Sequence, residues 1–170
     1  MMIRRADFQD IDLINSLAKV IFSDTYMPIL SEQQVDYMFD MMYAPCNIER
    51  QMEGGHQYFI AEADGKPCGY LSVRKKGQGS FHLEKIYTLP QFHGLGVGRS
   101  LFEFACNYAL QGVQSGSCLL ELNVNRYNKR ALAFYKKMGM REARRTDEHV
   151  GGGFYANDYV MAIDLSRCSE

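Results

Sequence analysis

The sequence predicts one domain with a mixed α/β fold, and three observations support this. Helical patterns fill the first third of the chain, and strand-like and helix-like patterns then alternate to its end. At 170 residues, of which 46% are hydrophobic, the chain is long enough to bury a substantial core. We expect a single domain over residues 1–170, divided into a helical segment (1–56), a central α/β core (57–140) and C-terminal strands (141–170).

Three helices are expected in the first segment. Asp7 is placed to cap the first, whose apolar residues recur at helical spacing until it ends between residues 23 and 28. The second begins at Ser31, where Gln34 three residues later predicts a capping box. A short third helix is expected over residues 47–53, before a pair of glycines.

Strands and helices alternate from residue 57 onward. Asp64 and Gly65 predict a hairpin between the first two strands, and KKGQGS (residues 75–80) predicts an exposed turn. The predicted strands cover residues 57–63, 68–74, 83–89, 117–124, 141–148 and 154–165. The predicted helices in this part cover residues 97–111 and 128–138.

The stretch LEKIYTLPQFHGLGVGRS, residues 83–100, places a strand, a glycine turn and the start of a helix close together. Gly94, Gly96 and Gly98 carry no Cβ, so the backbone can turn tightly there and a ligand can approach it. The free N–H groups and the dipole of the following helix attract anions. We therefore expect this glycine turn to bind phosphate groups.

Two common phosphate-binding motifs do not fit the glycine turn. A P-loop is excluded because Gly98 is followed by Arg99 instead of Lys, and because Gly94 lies too close before it. The sequence GLGVG is also one residue shorter than the dinucleotide fingerprint.

Charge is unevenly distributed along the chain. The net charge of −1 argues against nucleic acid as the main partner. Residues 1–53 carry nine acidic and four basic side chains, a net −5, which leaves +4 for the remainder. An acidic first third and a basic remainder would suit a cationic acceptor and an anionic ligand bound by different parts, or these charges are simply solvated helix faces.

No membrane segment, disulfide framework or metal site is expected. No apolar run approaches the length of a membrane span, and MMIRRADFQD lacks the apolar core of a signal peptide, so we expect a cytoplasmic protein. Five scattered cysteines without a CxxC motif are interpreted as reduced thiols, and the three histidines outside the glycine turn as loop or surface residues. The cysteines are Cys46, Cys68, Cys106, Cys118 and Cys168, and the histidines are His56, His82 and His149.

Two motifs resemble those of the GNAT superfamily of acyl-CoA N-acyltransferases. HGLGVG, residues 93–98, resembles the Gln/Arg-x-x-Gly-x-Gly segment that holds the pyrophosphate of CoA, with His93 in place of Gln or Arg. NKRALAFYKKMGM, residues 128–140, is similar to the segment that closes the GNAT core, with Met140 in place of an aromatic residue. The resemblance covers residues 57–140. It implies acetyl-CoA as co-substrate and a mixed, mostly antiparallel sheet of six to seven strands, flanked by helices and opened by a CoA-binding gap.

A narrower likeness extends beyond this core. FSDTY, LEKIYTLPQFHGLGVGRSL, the ALAFYKKMG helix and the final DYVMAIDL strand resemble segments of bacterial PaiA-type polyamine acetyltransferases. This implies a small cationic amine such as spermidine as acceptor, bound on the side of residues 1–56, and a homodimer is one expected assembly. Asp36 and Asp40 are candidate contacts for such an acceptor.

Two residues correspond to the catalytic groups of the family. An alkyl amine with a pKa of about 10.4 is almost fully protonated at neutral pH, so its acetylation benefits from a general base. By resemblance, Glu84 is that base, acting through water, and Tyr135 protonates the departing CoA sulfur. The alternatives are that Glu84 is a solvent-facing strand residue paired with Lys85 or Arg99, and that Tyr135 is a core tyrosine.

The resemblance also implies which residues contact CoA. The backbone of β-strand residues 86–88 would pair with the pantetheine amides, and Asn128 would meet the same arm, unless it is a plain N-cap. His93 is interpreted as a phosphate neighbour whose weaker contribution Arg99 and Lys137 compensate. The full predicted set comprises Ile86, Tyr87, Thr88, His93, Gly94, Leu95, Gly96, Val97, Gly98, Arg99, Ser100, Asn128, Tyr135 and Lys137.

Two classes of function remain open from the sequence. The first is an N-acetyltransferase for a polyamine, or for a protein N-terminus or an aminoglycoside. The second is a sensor that binds acyl-CoA without turnover. The presence of both Glu84 and Tyr135 favours the enzyme.

Overall fold

The computed structural model describes residues 1–167, so Cys168 and the last residues of the 141–170 segment lie outside the described residues. Within this range the chain forms seven strands, five α-helices and two short 3-10 helices, Phe8–Asp10 and Pro90–Phe92. The strands are β1 (Met2–Arg5), β2 (Gln57–Ala63), β3 (Lys66–Gly77), β4 (Ser80–Thr88), β5 (Ser117–Asn125), β6 (Arg141–Gly151) and β7 (Phe154–Ser166). The helices are α1 (Ile11–Tyr26), α2 (Glu32–Tyr43), α3 (Pro45–Glu53), α4 (Val97–Gln111) and α5 (Lys129–Lys137).

The strands form one sheet in the order β1-β2-β3-β4-β5-β7-β6. All neighbouring strands are antiparallel except β4 and β5, which run parallel. The mixed, mostly antiparallel sheet flanked by helices is therefore confirmed. The parallel pair is short, because only Ser80–His82 of β4 pair with Leu119–Glu121 of β5.

Two apolar clusters cover the two faces of the sheet. The first packs α4 and α5 on one face, with residues such as Leu101 and Phe102 fully buried against strands β2 to β5 and β7. The second packs α1, α2 and α3 on the other face of β2 and β3, around Ile14, Phe22 and Tyr43. Burial of these side chains provides the main favourable free energy of folding.

The helix starts differ from the sequence prediction in detail. Asp7 caps a single 3-10 turn, Phe8–Asp10, which leads into α1 instead of being its first turn. Ser31 Oγ accepts the Gln34 N–H over 3.2 Å, as predicted. The second half of the expected capping box is wrong, because the Gln34 side chain donates across to the carbonyl of Tyr155 over 2.9 Å.

Two strand predictions need correction. Strand β1 was not expected, since four residues are too few for a periodic pattern, and it forms by pairing with β2. The predicted turn over residues 75–80 is mostly strand, because Lys75 pairs with Phe81 and Gly77 with Ser80, so the β3–β4 ribbon extends to a tight turn. The burial of Phe81 favours this extension.

Candidate active site

A groove of about 510 Å³ runs from the glycine turn to the end of α1. Eleven of the fourteen residues predicted to contact CoA line it: Ile86, Tyr87, Thr88, His93, Gly94, Gly96, Gly98, Arg99, Asn128, Tyr135 and Lys137. The groove is therefore formed by the elements that the two motifs predict.

The groove follows an opening between β4 and β5. Beyond His82 and Glu121 the two parallel strands have no further paired residues, so the edge of β4 over residues 83–88 faces the gap. Backbone N–H and C=O groups along such an open edge can pair with an extended ligand. The predicted gap in the sheet is thus present, and Ile86, Tyr87 and Thr88 lie along it.

The glycine turn provides a free backbone at the start of α4. Gly94 and Gly96 have φ angles of +81° and +84°, a conformation that residues with a Cβ rarely adopt. A Cβ added at either position would meet no atom within 4 Å, so this backbone is open to a ligand. Gly96 is the N-cap of α4 and offers no side chain to its first N–H groups, which leaves them for an anion.

Three of the predicted CoA contacts do not line the groove. Leu95 is 70% exposed and its N–H donates to the Phe92 carbonyl over 3.3 Å, while the Ser100 N–H is used by the Gly96 carbonyl. Val97 is buried in the core beneath α4. The contribution of these residues to a ligand site stays a prediction.

Three cationic side chains line the groove. Arg99, on α4, is paired with Glu103 only weakly, over 3.8 Å and with both side chains more than half exposed. Lys137 was predicted from the sequence to contact the ligand, but Arg130 was not. The helical spacing could have indicated Arg130, since Arg130 and Lys137 are seven residues apart and therefore lie on one side of α5.

His93 connects the glycine turn to the end of β4. Its Nε2 lies 3.1 Å from the carbonyl oxygen of Thr88, so this nitrogen donates to the protein backbone. Only the other ring nitrogen of His93 is then available to a phosphate.

Asn128 and Tyr135 both lie on α5. Asn128 Oδ1 accepts the Ala131 N–H over 3.1 Å, which confirms its N-cap role. The side chain also lines the groove. Tyr135 is 8% exposed and reaches the groove, and burial raises the pKa of its phenol well above the usual value. Tyr135 therefore keeps its proton at neutral pH, as a general acid must.

Glu84 is half-buried beside the groove and is not among the residues that line it. It lies in a β-bulge, between the pairs Val73–Leu83 and Ser72–Lys85. Its Oε1 accepts Arg74 Nε–H over 2.9 Å, so its cationic partner is Arg74 and not Lys85 or Arg99. Burial would raise the pKa of Glu84, but His82 and Arg74 outweigh this and lower it to about 2.

A row of polar side chains links Glu84 to the groove. His82 Nδ1 lies 3.4 Å from Glu84 Oε2, and its Nε2 lies 3.1 Å from Asn123 Oδ1. Asn123 lines the groove and donates to Asp158 Oδ2 over 3.3 Å. We call these five residues, Arg74, Glu84, His82, Asn123 and Asp158, the polar row. His82 lies in β4 and its side chain is 17% exposed, so the expectation that it is a loop or surface residue is wrong. His56 lies in the loop before β2, as expected, and is half-buried.

The opposite end of the groove is built by α1 and β4. Tyr26 and Tyr87 both line it, and their hydroxyl oxygens lie 3.0 Å apart. Asp24 lines the groove as well, whereas Asp36 and Asp40 are exposed on α2 and do not. The acidic side chain at this end is thus contributed by α1.

No group of His, Cys, Asp or Glu side chains within residues 1–167 is arranged to hold a metal ion. In the same range no helix has the length and apolar character needed to cross a membrane. The four cysteines of this range are free thiols.

Comparison with known proteins identifies the family. The model of the acetyltransferase (GNAT) family matches residues 19–140. The chain belongs to the GNAT acetyltransferase family. The matched range contains both motifs and most of the groove, so the family predicted from the sequence is confirmed.

Related GNAT proteins cover different shares of the chain. An uncharacterised N-acetyltransferase of Mycobacterium tuberculosis is 32% identical over 105 residues, which are 62% of this chain and 65% of that protein. The match thus spans less than two thirds of that relative. An N-alpha-acetyltransferase of Sulfurisphaera tokodaii is 26% identical over an alignment of 178 residues, covering 96% of this chain and 92% of that protein.

The fold is also similar to that of a solved GNAT enzyme. The structure of the PaiA N-acetyltransferase from Thermoplasma acidophilum, in complex with coenzyme A, matches with a TM-score of 0.75 and 20% identity. The match covers 95% of this chain and 96% of that one. At this level of identity the likeness shows a shared fold.

Proposed function

We propose that the protein is an acetyl-CoA-dependent N-acetyltransferase whose acceptor is a small cationic amine, with spermidine as the first candidate. The observation that carries the proposal is that one groove joins the glycine turn, the open edge of β4 and Tyr135. An anion-binding turn, an unpaired strand edge and a buried acid are the three features that binding and cleaving a CoA thioester require.

Acetyl-CoA fits the groove by its chemistry. The N–H groups at the start of α4 suit the pyrophosphate, and Arg99, Arg130 and Lys137 suit its negative charge. The open edge of β4 over residues 86–88 can form hydrogen bonds with the pantetheine amides, as it would with an additional β-strand. Acetyl-CoA supplies the activated acetyl group, and no metal is needed for this transfer.

The reaction we propose is a direct attack of the neutral amine on the thioester carbonyl. A new C–N bond forms, an N–H group at the edge of β4 stabilises the developing oxyanion, and the C–S bond then breaks. Tyr135 donates its proton to the departing sulfur. Such a proton transfer contributes on the order of 10²–10⁴ in rate.

Glu84 is our candidate for the group that receives the proton of the amine. Its low pKa keeps it ionised at neutral pH but makes it a weak base, and it stands back from the groove. We therefore propose that the proton reaches Glu84 through water. His82 and Asn123 of the polar row lie between Glu84 and the groove.

A cationic acceptor is favoured by the charge at the α1 end of the groove. Asp24 lines this end, and α1 to α3 belong to the acidic first third of the chain. An ammonium group approaching it is attracted by this charge. A protein N-terminus is the second candidate acceptor, because the relative from Sulfurisphaera tokodaii is an N-alpha-acetyltransferase.

We further propose that the chain acts as one N-acetyltransferase domain. Residues 1–56 would supply the acceptor side, residues 57–140 the CoA-binding core, and the C-terminal strands would complete the sheet. A cytoplasmic location and assembly as a homodimer stay predictions from the sequence.

The proposed function is tested by measuring thiol release from acetyl-CoA with a panel of amines. The panel contains spermidine, spermine, an aminoglycoside and short peptides with free N-termini. We expect turnover with the polyamines. Absence of turnover with every amine, together with tight binding of acetyl-CoA, would instead indicate the sensor.

A further inference from the structure

Asp158, in β7, is a half-buried carboxylate one hydrogen bond away from the groove. Its Oδ2 accepts a hydrogen bond from Asn123 Nδ2 over 3.3 Å, and Asn123 lines the groove. Neither residue belongs to the motifs of the glycine turn or of α5. The sheet brings them together, because β5 and β7 are antiparallel neighbours in which Asn125 pairs with Asp158.

Asp158 differs from the other partly buried carboxylates of the sheet in lacking a cationic partner. Glu62, Glu84 and Glu121 each bind an arginine, over 2.9, 2.9 and 2.7 Å. No lysine, arginine or histidine within residues 1–167 approaches Asp158 to ion-pair distance.

The charges around Asp158 make the binding of a cation there more favourable. Arg126, whose charge reaches Asp158, is already paired with Asp147. Asp147 and Glu148 add negative charge nearby. Burial and these two carboxylates raise the pKa of Asp158 above its usual value. A partly buried carboxylate without a counter-charge is unfavourable, so a cation that enters the groove is attracted to it.

Asp158 also lies near the proposed reaction centre. Burial raises the pKa of Tyr87, and the charge of Asp158 adds to that shift. Tyr87 in turn adds to the raised pKa of Tyr135, after the main effect of burial. Asn123, which donates a hydrogen bond to Asp158, lines the same groove as Tyr87 and Tyr135, so the carboxylate lies beside the part of the groove where the acceptor amine has to bind.

We propose that Asp158 binds a charged nitrogen of the acceptor other than the nitrogen that attacks the thioester, with Asn123 holding the carboxylate in position. This rests on the proposed function and assigns its preference for cationic acceptors to a particular side chain. Asp24, which is exposed and lines the groove, attracts the amine on its approach, whereas Asp158, which does not line the groove itself, binds it beside Asn123.

The test is the Asp158→Asn variant, which keeps the shape of the side chain and removes its charge. We expect the KM for spermidine to rise at least about tenfold, while kcat changes less than about threefold and the KM for acetyl-CoA is unchanged. The melting temperature should stay equal or rise, because an unpaired charge has been removed. The matched control is Asp164→Asn, on the same strand, whose carboxylate is 75% exposed and paired with Arg141.

Calorimetry with the CoA-bound protein makes the test independent of turnover. Spermidine should bind the wild type and the Asp164→Asn variant alike, and bind Asp158→Asn at least about tenfold more weakly. An unchanged spermidine affinity in Asp158→Asn, or a fall in kcat without a change in KM, would overturn the assignment. Failure of the wild type to turn over any amine would overturn the proposed function, while the binding difference would still test Asp158.

Discussion

Arg74 Nε and Glu84 Oε1 lie 2.9 Å apart across β3 and β4, so the candidate base is held in an ion pair. The sheet contains a close counterpart in Arg4 and Glu62, whose Nε and Oε1 atoms are also 2.9 Å apart. The exposed fractions of the two pairs are nearly equal, 35% and 17% against 34% and 17%. One pair is near the groove and the other is on the remote strands β1 and β2.

This counterpart allows the role of Glu84 to be separated from its structural effect. We expect Glu84→Gln to lower kcat by on the order of 100-fold, because the receiver of the amine proton is lost. Glu62→Gln should lower stability by a similar amount and leave kcat unchanged. Equal kcat values for the two variants would show that Glu84 is structural, and the comparison requires steady-state kinetics and thermal melts of both.

Tyr135→Phe should lower kcat by at least about 100-fold while the affinity for CoA stays the same, since only the transferred proton is removed. Tyr108→Phe is the control, because Tyr108 packs against the same core and does not line the groove. Steady-state assays of thiol release give kcat, and calorimetry gives the affinity for CoA. Full activity of Tyr135→Phe would refute the general-acid role.

Gly96→Ala should weaken CoA binding at least about tenfold, because the added Cβ occupies the open space at the start of α4. Gly153→Ala is matched to it in backbone conformation, with φ of +80° against +84°, and its Cβ also meets no atom within 4 Å. Both variants should lose about 1–2 kcal/mol of stability through backbone strain. If both bind CoA with the wild-type affinity in calorimetry, the phosphates do not bind at the glycine turn.

Lys85→Met should raise the melting temperature at pH 7. Lys85 is 5% exposed, and burial lowers its pKa to about 8, from 10.5 for the unperturbed group. The charged amine thus destabilises the fold below pH 8 by up to about 3 kcal/mol, and this effect disappears as the pH rises from 8 to 10.5. Lys85 Nζ donates to Gln51 Oε1 over 2.8 Å, and the loss of this hydrogen bond reduces the stability gained by Lys85→Met. Gln51 Oε1 still accepts a hydrogen bond from the Tyr58 hydroxyl in the variant.

Thermal melts of wild type and Lys85→Met at pH 7 and at pH 10 isolate this contribution, because other titrating groups are common to both proteins. The stabilisation of the variant should shrink at pH 10. A variant less stable than wild type at pH 7 would mean that the hydrogen bond and the flanking rings of Tyr43 and Tyr58 outweigh the burial of the charge.

Local sequence patterns predicted most elements because their signals are local. Apolar spacing defined α4, and the glycines at positions 94 and 96 defined the turn that precedes it. The pairs that depend on strand register were not predicted. Arg74 and Glu84 meet because a bulge shifts the register of β3 and β4, and Asn123 and Asp158 meet although 35 positions separate them.

The same distinction between local patterns and strand register applies to the candidate site. Residues that act through backbone or a shared helix, such as Gly96, Asn128 and Tyr135, follow from motif spacing and lie in one groove. Asp158 and Asp24 do not follow from motif spacing, since the sheet order places β7 beside β5, and the packing of the second cluster brings α1 to the groove. The sequence also could not indicate that Asp36 and Asp40 are exposed on α2 and do not line the groove.

The most direct test of the central claim is a competition measured by mass spectrometry of the products. Wild-type protein is incubated with acetyl-CoA and an equimolar mixture of spermidine, an aminoglycoside and a peptide with a free N-terminus. We predict that acetylated spermidine forms first and in excess over the other products. Predominant acetylation of the peptide, or no acetylated product from a protein that binds acetyl-CoA tightly, would contradict the account.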